Sequence, residues 1–317
     1  MYVVTGGLGF IGSNLIKALN ARGIKDIINV DYREKLEESS WLDGLIFDVL
    51  ISPDEFLSEL KQTNQGIDGI FHNGACTDTT EWNGELMMQQ NYLYSKFLLD
   101  VCVTKSIPLV YASSASVYGT SHNNCDTQDL NDLRPLNVYG FSKLLFDEYV
   151  QYFLGSAQPM PKVIGLRYFN VYGPGEFKKA KMASVAFHFI EQLKNNLTIN
   201  LFEGSHGFAD GDQLRDFVYV NDIIDMNIWA MFQANHSGVY NAGSGTARSF
   251  NDVANILIQL MGDGVKNYID FPEGLLDAYQ SYTCATKEKI HQAGYRVKPT
   301  TLEQGLEDYF NFMNERK

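Results

Sequence analysis

Tyr2-Val-Val-Thr-Gly-Gly-Leu-Gly-Phe-Ile-Gly12 is the stretch on which the fold turns. Residues 2–5 suit a short buried strand. They run straight into a turn that satisfies both G-x-x-G-x-x-G (Gly6, Gly9, Gly12) and G-x-G-x-x-G (Gly7, Gly9, Gly12). Residues 10–22 then take a helical period, with Ile11, Leu15, Ala18 and Leu19 on one face. The glycines allow a tight strand-to-helix turn, close backbone approach to a pyrophosphate, and close packing of helix on sheet. The helix N-terminus adds unpaired N–H groups and the positive end of a dipole. A glycine-rich turn alone is a weak signal. Here a second strand over 27–30 ends at Asp31, 19 residues after Gly12. At that spacing an acid meets an adenosine ribose, so the stretch implies dinucleotide binding.

Outward from this unit, apolar runs at 45–47, 69–72, 108–112 and 163–167 read as strands, with helices near 54–63, 84–104 and 140–154. That alternation predicts an α/β chain, a Rossmann-type doubly wound parallel sheet. Past residue 175 the pattern loosens. Shorter strands at 200–202, 217–220, 238–241 and 268–271 mix with helices near 182–195, 221–234, 249–261 and 300–314. The expected organisation is a dinucleotide-binding domain over 1–170, to which segments at about 215–245 return. A smaller, partly interleaved substrate lobe covers mainly 171–317. Residues 204–213, with three Gly and two Asp, read as a mobile loop.

With 317 residues, 45% of them hydrophobic, the chain can bury a large core. Its 25 Lys+Arg against 38 Asp+Glu leave a formal charge of −13, which argues against a nucleic-acid partner. No apolar run reaches the ~18 residues needed to span a bilayer, and the N-terminus lacks a basic leader. A cytoplasmic protein without membrane contact is the expectation. Cys76, Cys102, Cys125 and Cys284 show no paired spacing, so neither a disulfide framework nor a metal site is expected.

Tyr139 and Lys143 stand one helical turn apart in Asn137-Val-Tyr-Gly-Phe-Ser-Lys143. A free tyrosine, with a pKa near ~10, is a poor base at neutral pH. A lysine cation, reinforced by an oxidised nicotinamide, favours the phenolate. Such a phenolate can take an alcohol's proton while the carbon gives hydride to the cofactor. Ser114, in Ser113-Ser-Ala-Ser116 after a predicted strand, can hydrogen-bond the same oxygen. Cofactor choice stays open at this level. Asp31 suits a free 2′-hydroxyl, whereas Arg33 and Lys35 suit a 2′-phosphate and are diluted by Glu34, Glu37 and Glu38.

Several motifs together resemble the extended short-chain dehydrogenase/reductases that act on nucleotide sugars. They are the glycine loop, Asp31, Asn73-Gly-Ala, Ser114 before Val117-Tyr-Gly, the Tyr139/Lys143 pair, Arg167-Tyr-Phe-Asn-Val-Tyr-Gly-Pro174 and Arg215-Asp-Phe-Val-Tyr-Val-Asn-Asp222. Within that group, four further stretches are similar to the ADP-glycero-manno-heptose 6-epimerase family: Gly74-Ala-Cys-Thr-Asp-Thr-Thr-Glu-Trp82, Asn91-Tyr-Leu-Tyr-Ser-Lys96, Phe146-Asp-Glu-Tyr149 and Met182-Ala-Ser-Val-Ala-Phe-His188. The resemblance implies epimerisation at C6 of an ADP-heptose through a 6-ketone, for the lipopolysaccharide inner core. It implies one tightly bound NADP per subunit, with NAD as the alternative, and a homo-oligomer, a pentamer. Tyr139 would be one acid/base and a nearby lysine the other. Counting back from Met182 selects Lys179, with Lys178 and Lys181 as the other registers.

The same resemblance assigns cofactor contacts to Gly6, Gly9, Phe10, Ile11, Gly12, Asp31, Tyr32, Arg33, Asn73, Gly74, Ala75, Cys76, Thr77, Asn91, Lys143 and Val171, with Asp48 and Val49 bordering the adenine. It assigns substrate contacts to Asn170, Lys181, His188, Phe202, Glu203, Gly204, Ser205, Arg215 and Tyr279. Three departures stand out: Tyr32 and Glu38 where the family tends to carry Asn and Lys, extra residues over 209–214, and Ala278 where it often has Arg. A 4-epimerase on the same scaffold is the alternative, and it needs only the tyrosine.

Overall fold

The computed structural model describes residues 1–317 except 37–39, 63–65, 121–129, 157–158, 273, 275, 277–278 and 316–317. The first half alternates strand and helix: β1 (Tyr2–Thr5), α1 (Phe10–Ala21), β2 (Ile27–Val30), β3 (Val49–Ile51), α2 (Pro53–Gln62), β4 (Gly69–His72), α3 (Gly84–Met87), a π-helical turn (Met88–Leu93), α4 (Tyr94–Lys105), β5 (Leu109–Ser114), α5 (Val138–Leu154) and β6 (Val163–Tyr168). Then follow β7 (Asn170–Tyr172), α6 (Val185–Asn196), β8 (Thr198–Phe202), β9 (Leu214–Tyr219), α7 (Val220–Phe232), β10 (Gly238–Ala242), β11 (Ala247–Ser249), α8 (Phe250–Met261), β12 (Val265–Ile269), α9 (Glu288–Gln292) and α10 (Leu302–Glu315).

Among the described residues, seven strands form one sheet in the order β10-β6-β5-β4-β1-β2-β3, with every pairing parallel. The order reverses between β1 and β4, and ligands bind at such a switch point, beyond the carboxyl ends of the strands. The strands are near-continuous apolar runs because helices cover both faces. On one face, α1 buries Leu15, Ile16 and Leu19 completely, each worth ~1.5–3 kcal/mol, and packs against α7. The late strand β10 completes the large sheet. β7, β9 and β11 form a three-stranded sheet, and β8 pairs with β12.

Two expectations are corrected. The third strand lies at Val49–Ile51, not 45–47. Leu45 and Phe47 alternate because they pack on the core from a loop, which Asn20 pins through hydrogen bonds to both backbone groups of Ile46. Pairing with β2 begins only where Ile28 meets Val49. Second, the helix expected over 84–104 contains a π-helical turn. The extra residue turns Asn91 inward, where its amide bonds both backbone groups of Cys76 (2.8 and 3.0 Å) and the Ser142 hydroxyl (3.1 Å).

Candidate active site

The glycine loop forms the floor of a cleft of about 940 Å³. Gly6 has φ +68°, and a Cβ there would sit 2.8 Å from Gly74 Cα, so only glycine lets the loop press against the chain after β4. A Cβ on Gly12 would lie 2.1 Å from the Gly6 carbonyl. No side chain caps α1 at Gly9, which leaves its first turn without a side-chain competitor for an anion. Gly6, Gly9, Phe10, Ile11, Gly12, Asp31, Tyr32 and residues Asn73 to Thr77 all line this cleft, as sequence spacing anticipated for the loop and the acid.

Asp31 is buried at the end of β2 and fully engaged. Oδ2 accepts from Leu8 N–H (3.0 Å), while Oδ1 accepts from Tyr32 N–H (2.8 Å) and the Lys35 ammonium (2.6 Å). Arg33 faces a smaller recess of about 220 Å³, shared with Asp31, Ser52 and Glu55. Asp48 and Val49 are placed elsewhere. They open β3, where Asp48 N–H bonds the Ile27 carbonyl and its carboxyl hydrogen-bonds Asp26, which raises its pKa. The expectation that they border the adenine is corrected accordingly. With the strand four residues later than expected, its carboxyl end is Ile51, and Pro53, Asp54 and Leu57 reach the cleft.

On α5, Asn137 caps the helix by accepting from Gly140 N–H, which sets Tyr139 in the first turn. A Cβ on Gly140 would lie 2.9 Å from the Ser116 carbonyl, so the helix start packs tightly on the turn after β5. Ser114 Oγ accepts from both the Ser116 N–H (3.2 Å) and its hydroxyl (2.9 Å), leaving its own proton for the Tyr139 oxygen. Burial raises the Tyr139 pKa and the Ser114 hydrogen bond opposes that rise. Lys143 is buried, 6.0 Å from the Tyr139 ring centroid, and donates to the Ala112 carbonyl (3.0 Å). Burial pushes its pKa down to about 8 against the pull of the Asp147 carboxylate. Asp147 itself accepts from Tyr111, Ser113 and Arg167, an ion pair closed off from solvent.

A buried polar relay joins the glycine loop to this helix. Gly74 N–H donates to Thr5 Oγ1 (3.0 Å), which lies 2.7 Å from His72 Nδ1, and His72 Nε2 lies 2.8 Å from Ser95 Oγ. Ser95 in turn donates to the Asn91 carbonyl, so His72 carries its proton on Nε2 and accepts at Nδ1. Asn91 then donates to Ser142, which donates to the Tyr139 carbonyl (2.7 Å). Burial pushes the His72 pKa down to about 3, which keeps the ring neutral.

The lysine cluster splits. Glu176, fully buried, clamps the ends of the 176–182 turn by accepting from Gly173 N–H and from the Ser184 N–H and hydroxyl. Ala180 has φ +47°, which kinks the turn between Lys179 and Lys181. Lys178 and Lys179 line the cleft. Burial lowers the Lys179 pKa, opposed by Glu176, and its ammonium lies 6.0 Å from the Phe10 ring centroid. Lys178 donates to the Lys35 carbonyl (2.7 Å). Lys181, expected as a substrate contact, is 68% exposed and pairs with Asp78 (3.0 Å).

Arg215 is buried, with its guanidinium 4.8 Å from the Tyr279 ring and 5.6 Å from that of Phe250. Among the described residues no carboxylate forms an ion pair with it. Burial lowers its pKa, opposed by its hydrogen bond to Tyr279. Phe202 stacks on Phe271 (4.6 Å) beside Tyr279, and Ser205 hydrogen-bonds Gln213 (3.1 Å). Glu203 and Gly204 are exposed beside them, Asn170 is exposed on β7, and His188 and Val171 are half-buried. The segment over 204–213, read from sequence as a mobile loop, is held by Asn251, which donates to the Asp210 carbonyl and the Asp212 carboxylate (both 2.7 Å). Ala278, Glu37, Glu38 and Cys125 lie outside the described residues.

Residues 2–243 match the NAD dependent epimerase/dehydratase family. The chain belongs to that family. It is 44% identical over 314 residues to the ADP-L-glycero-D-manno-heptose-6-epimerase of Alkalilimnicola ehrlichii, covering 98% of this chain and 97% of the relative. Among solved structures it is similar to the Helicobacter pylori ADP-L-glycero-D-manno-heptose-6-epimerase (TM-score 0.83, 32% identity, 99% of this chain and 96% of that one). It is also similar to MoeE5 in complex with UDP-glucuronic acid and NAD (TM-score 0.81, 25% identity, 100% and 99%).

The cleft fits the nicotinamide dinucleotide of this epimerase/dehydratase family. A backbone cradle closes to any Cβ at Gly6 and Gly12, an uncapped helix start faces it, and an acid ends β2. Several lining residues escaped the sequence reading: Gln89, Gln90, Leu93, Tyr94 and Phe97 on the π-helical turn and α4, and Met182 beyond the lysines. The first five sit on a helix whose local period gives no sign of which face meets a ligand. Among the described residues no His, Cys, Asp and Glu cluster could hold a metal ion, and no helix is long and apolar enough to cross a membrane.

Proposed function

We propose that the chain epimerises C6 of the heptose in ADP-glycero-manno-heptose, through a transient 6-ketone, for the lipopolysaccharide inner core. The observation that carries this reading is a pair of proton-handling side chains on separate elements, Tyr139 on α5 and Lys179 on the turn before α6. Epimerisation presents the carbon's two faces in turn, and the alcohol proton must then be handled from two places. Tyr139 serves one epimer, with the Ser114 hydrogen bond favouring its phenolate and the Lys143 cation 6.0 Å from its ring adding a favourable charge. Lys179, its pKa lowered by burial, serves the other. When bound, the nicotinamide supplies the two-electron acceptor and donor. Arg215 and the Tyr279 ring suit the substrate's pyrophosphate, with Phe202 to Ser205, Asn170 and His188 around the remainder.

NADP is the favoured cofactor, because the Lys35 ammonium already neutralises Asp31 and occupies the oxygen that a free 2′-hydroxyl would use. Nucleotide contacts fall to residues 1–170 with 215–245 and sugar contacts mainly to 171–317, in a cytoplasmic homo-oligomer. Turnover of ADP-heptose, set beside UDP-galactose, tests the reading. Reaction of UDP-galactose alone would replace it with a 4-epimerase. Light scattering reads the assembly, for which family likeness supports a pentamer.

A further inference from the structure

Two loops flank the mouth of the cleft: the chain after β4, carrying Asn73 to Asp78, and the 176–182 turn, carrying Lys178 and Lys179. The Asp78 carboxylate is pre-set for a partner. Its Oδ1 accepts from the Thr80 N–H (2.8 Å) and hydroxyl (2.6 Å), which leaves Oδ2 for the Lys181 ammonium at 3.0 Å. Lys181 also donates to Thr80 Oγ1 (3.0 Å). On the other loop, the kink at Ala180 (φ +47°) sends Lys179 inward and Lys181 outward from adjacent turns of one backbone. One residue, Ala180, separates the lysine of the ion pair from the lysine that lines the cleft.

We propose that Asp78 and Lys181 are positioning residues, whose ion pair ties the two loops across the cleft mouth, holds Lys179 over the substrate and slows escape of the cofactor. The part concerning Lys179 rests on its role as the second acid/base. An exposed pair contributes little to global stability. Loop opening, however, is governed by free energies of the same small size, so losing the pair changes the open population on the order of two- to fivefold.

The test is a charge swap: Asp78→Lys, Lys181→Asp and the double variant, with unchanged thermal midpoints checking that each folds. The first readout is exchange of the bound nucleotide against excess labelled dinucleotide of the kind the protein carries, a measurement that needs no sugar. Each single variant should exchange on the order of two- to fivefold faster and lose kcat on ADP-heptose by a similar factor with KM little changed. The double variant should recover both. High salt should accelerate exchange in the wild type and slow it in the singles, where it screens a like-charge pair. Exchange at the wild-type rate in both singles, or a double variant no better than the worse single, overturns the proposal. A wild type that leaves ADP-heptose untouched while the exchange pattern holds would instead overturn the substrate reading and keep the tie between the loops.

Discussion

Tyr139 is set against itself: burial raises the pKa of the very group that must lose a proton near neutrality. Ser114 opposes that rise by offering a proton to the phenolate, and a Lys143 cation 6.0 Å from the ring favours the charged form. Lys143 keeps that charge only below about 8, because burial has lowered its own pKa and Asp147 restores part of it. Activity should therefore fall as pH rises through about 8, when the cation disappears. Asp147→Asn should move that alkaline limb to lower pH, since the carboxylate that sustains the charge is gone. A pH–rate profile of both proteins checks this, and an unmoved limb would assign it to another group. Replacement of either acid/base, Tyr139→Phe or Lys179→Met, should cost about 10²- to 10⁴-fold in kcat while nucleotide remains bound. Full activity in the Lys179 variant would move the second base to Lys178.

The elements were largely legible, because strand and helix periods differ and the sheet is buried on both faces. Of the large sheet, only β3 was misplaced, where loop residues Leu45 and Phe47 imitate a strand by packing on the core. The π-helical turn was illegible for a different reason. Its cause lies in contacts with Cys76 and Ser142, 15 and 51 residues away. The Tyr139/Lys143 spacing was readable as one helical turn, whereas the split between Lys179 and Lys181 depends on the backbone at Ala180, which no side-chain pattern encodes. The His72 relay was equally hidden, as its members come from β1, β4 and α4. It makes a prediction at this scale. A histidine held at about 3 in the fold but ordinarily near 6.5 binds its proton only on unfolding, so stability is lost as pH falls below 6.5. The loss is up to ~1.4 kcal/mol per pH unit in that window. Urea unfolding at pH 7 and pH 5 should show the wild type losing ~2 kcal/mol more than His72→Gln. Equal losses would mean that His72 is protonated in the fold.

At the scale of the whole molecule, a chain with a net charge of −13 is assigned two anionic ligands, and the structure removes the conflict by location. Lys35, Lys178 and Lys179 balance Asp31, Asp54 and Asp78 along the cleft, Arg215 is buried among aromatic rings, and the acidic surplus lies outside the cleft. Whole-chain charge therefore reports solubility and not ligand choice. Lys35 is the residue through which this local balance sets cofactor preference. Its ammonium both cancels the Asp31 charge and stands beside the ribose position at the end of β2. Lys35→Met would leave the Asp31 carboxylate held only by the Leu8 and Tyr32 N–H groups, with an uncancelled charge that repels a 2′-phosphate and an oxygen free to accept from a 2′-hydroxyl. A charge-assisted hydrogen bond of ~1.5–3 kcal/mol corresponds to a shift of about tenfold or more in the NADP-to-NAD ratio. The nucleotide released on denaturing each purified protein, separated by chromatography, reads that ratio directly. NADP from the wild type and a swing toward NAD from the variant are expected. The same nucleotide in the same proportion from both would show that Lys35 serves Asp31 alone and that preference is set elsewhere, with Arg33 and Lys178 the next cations to exchange.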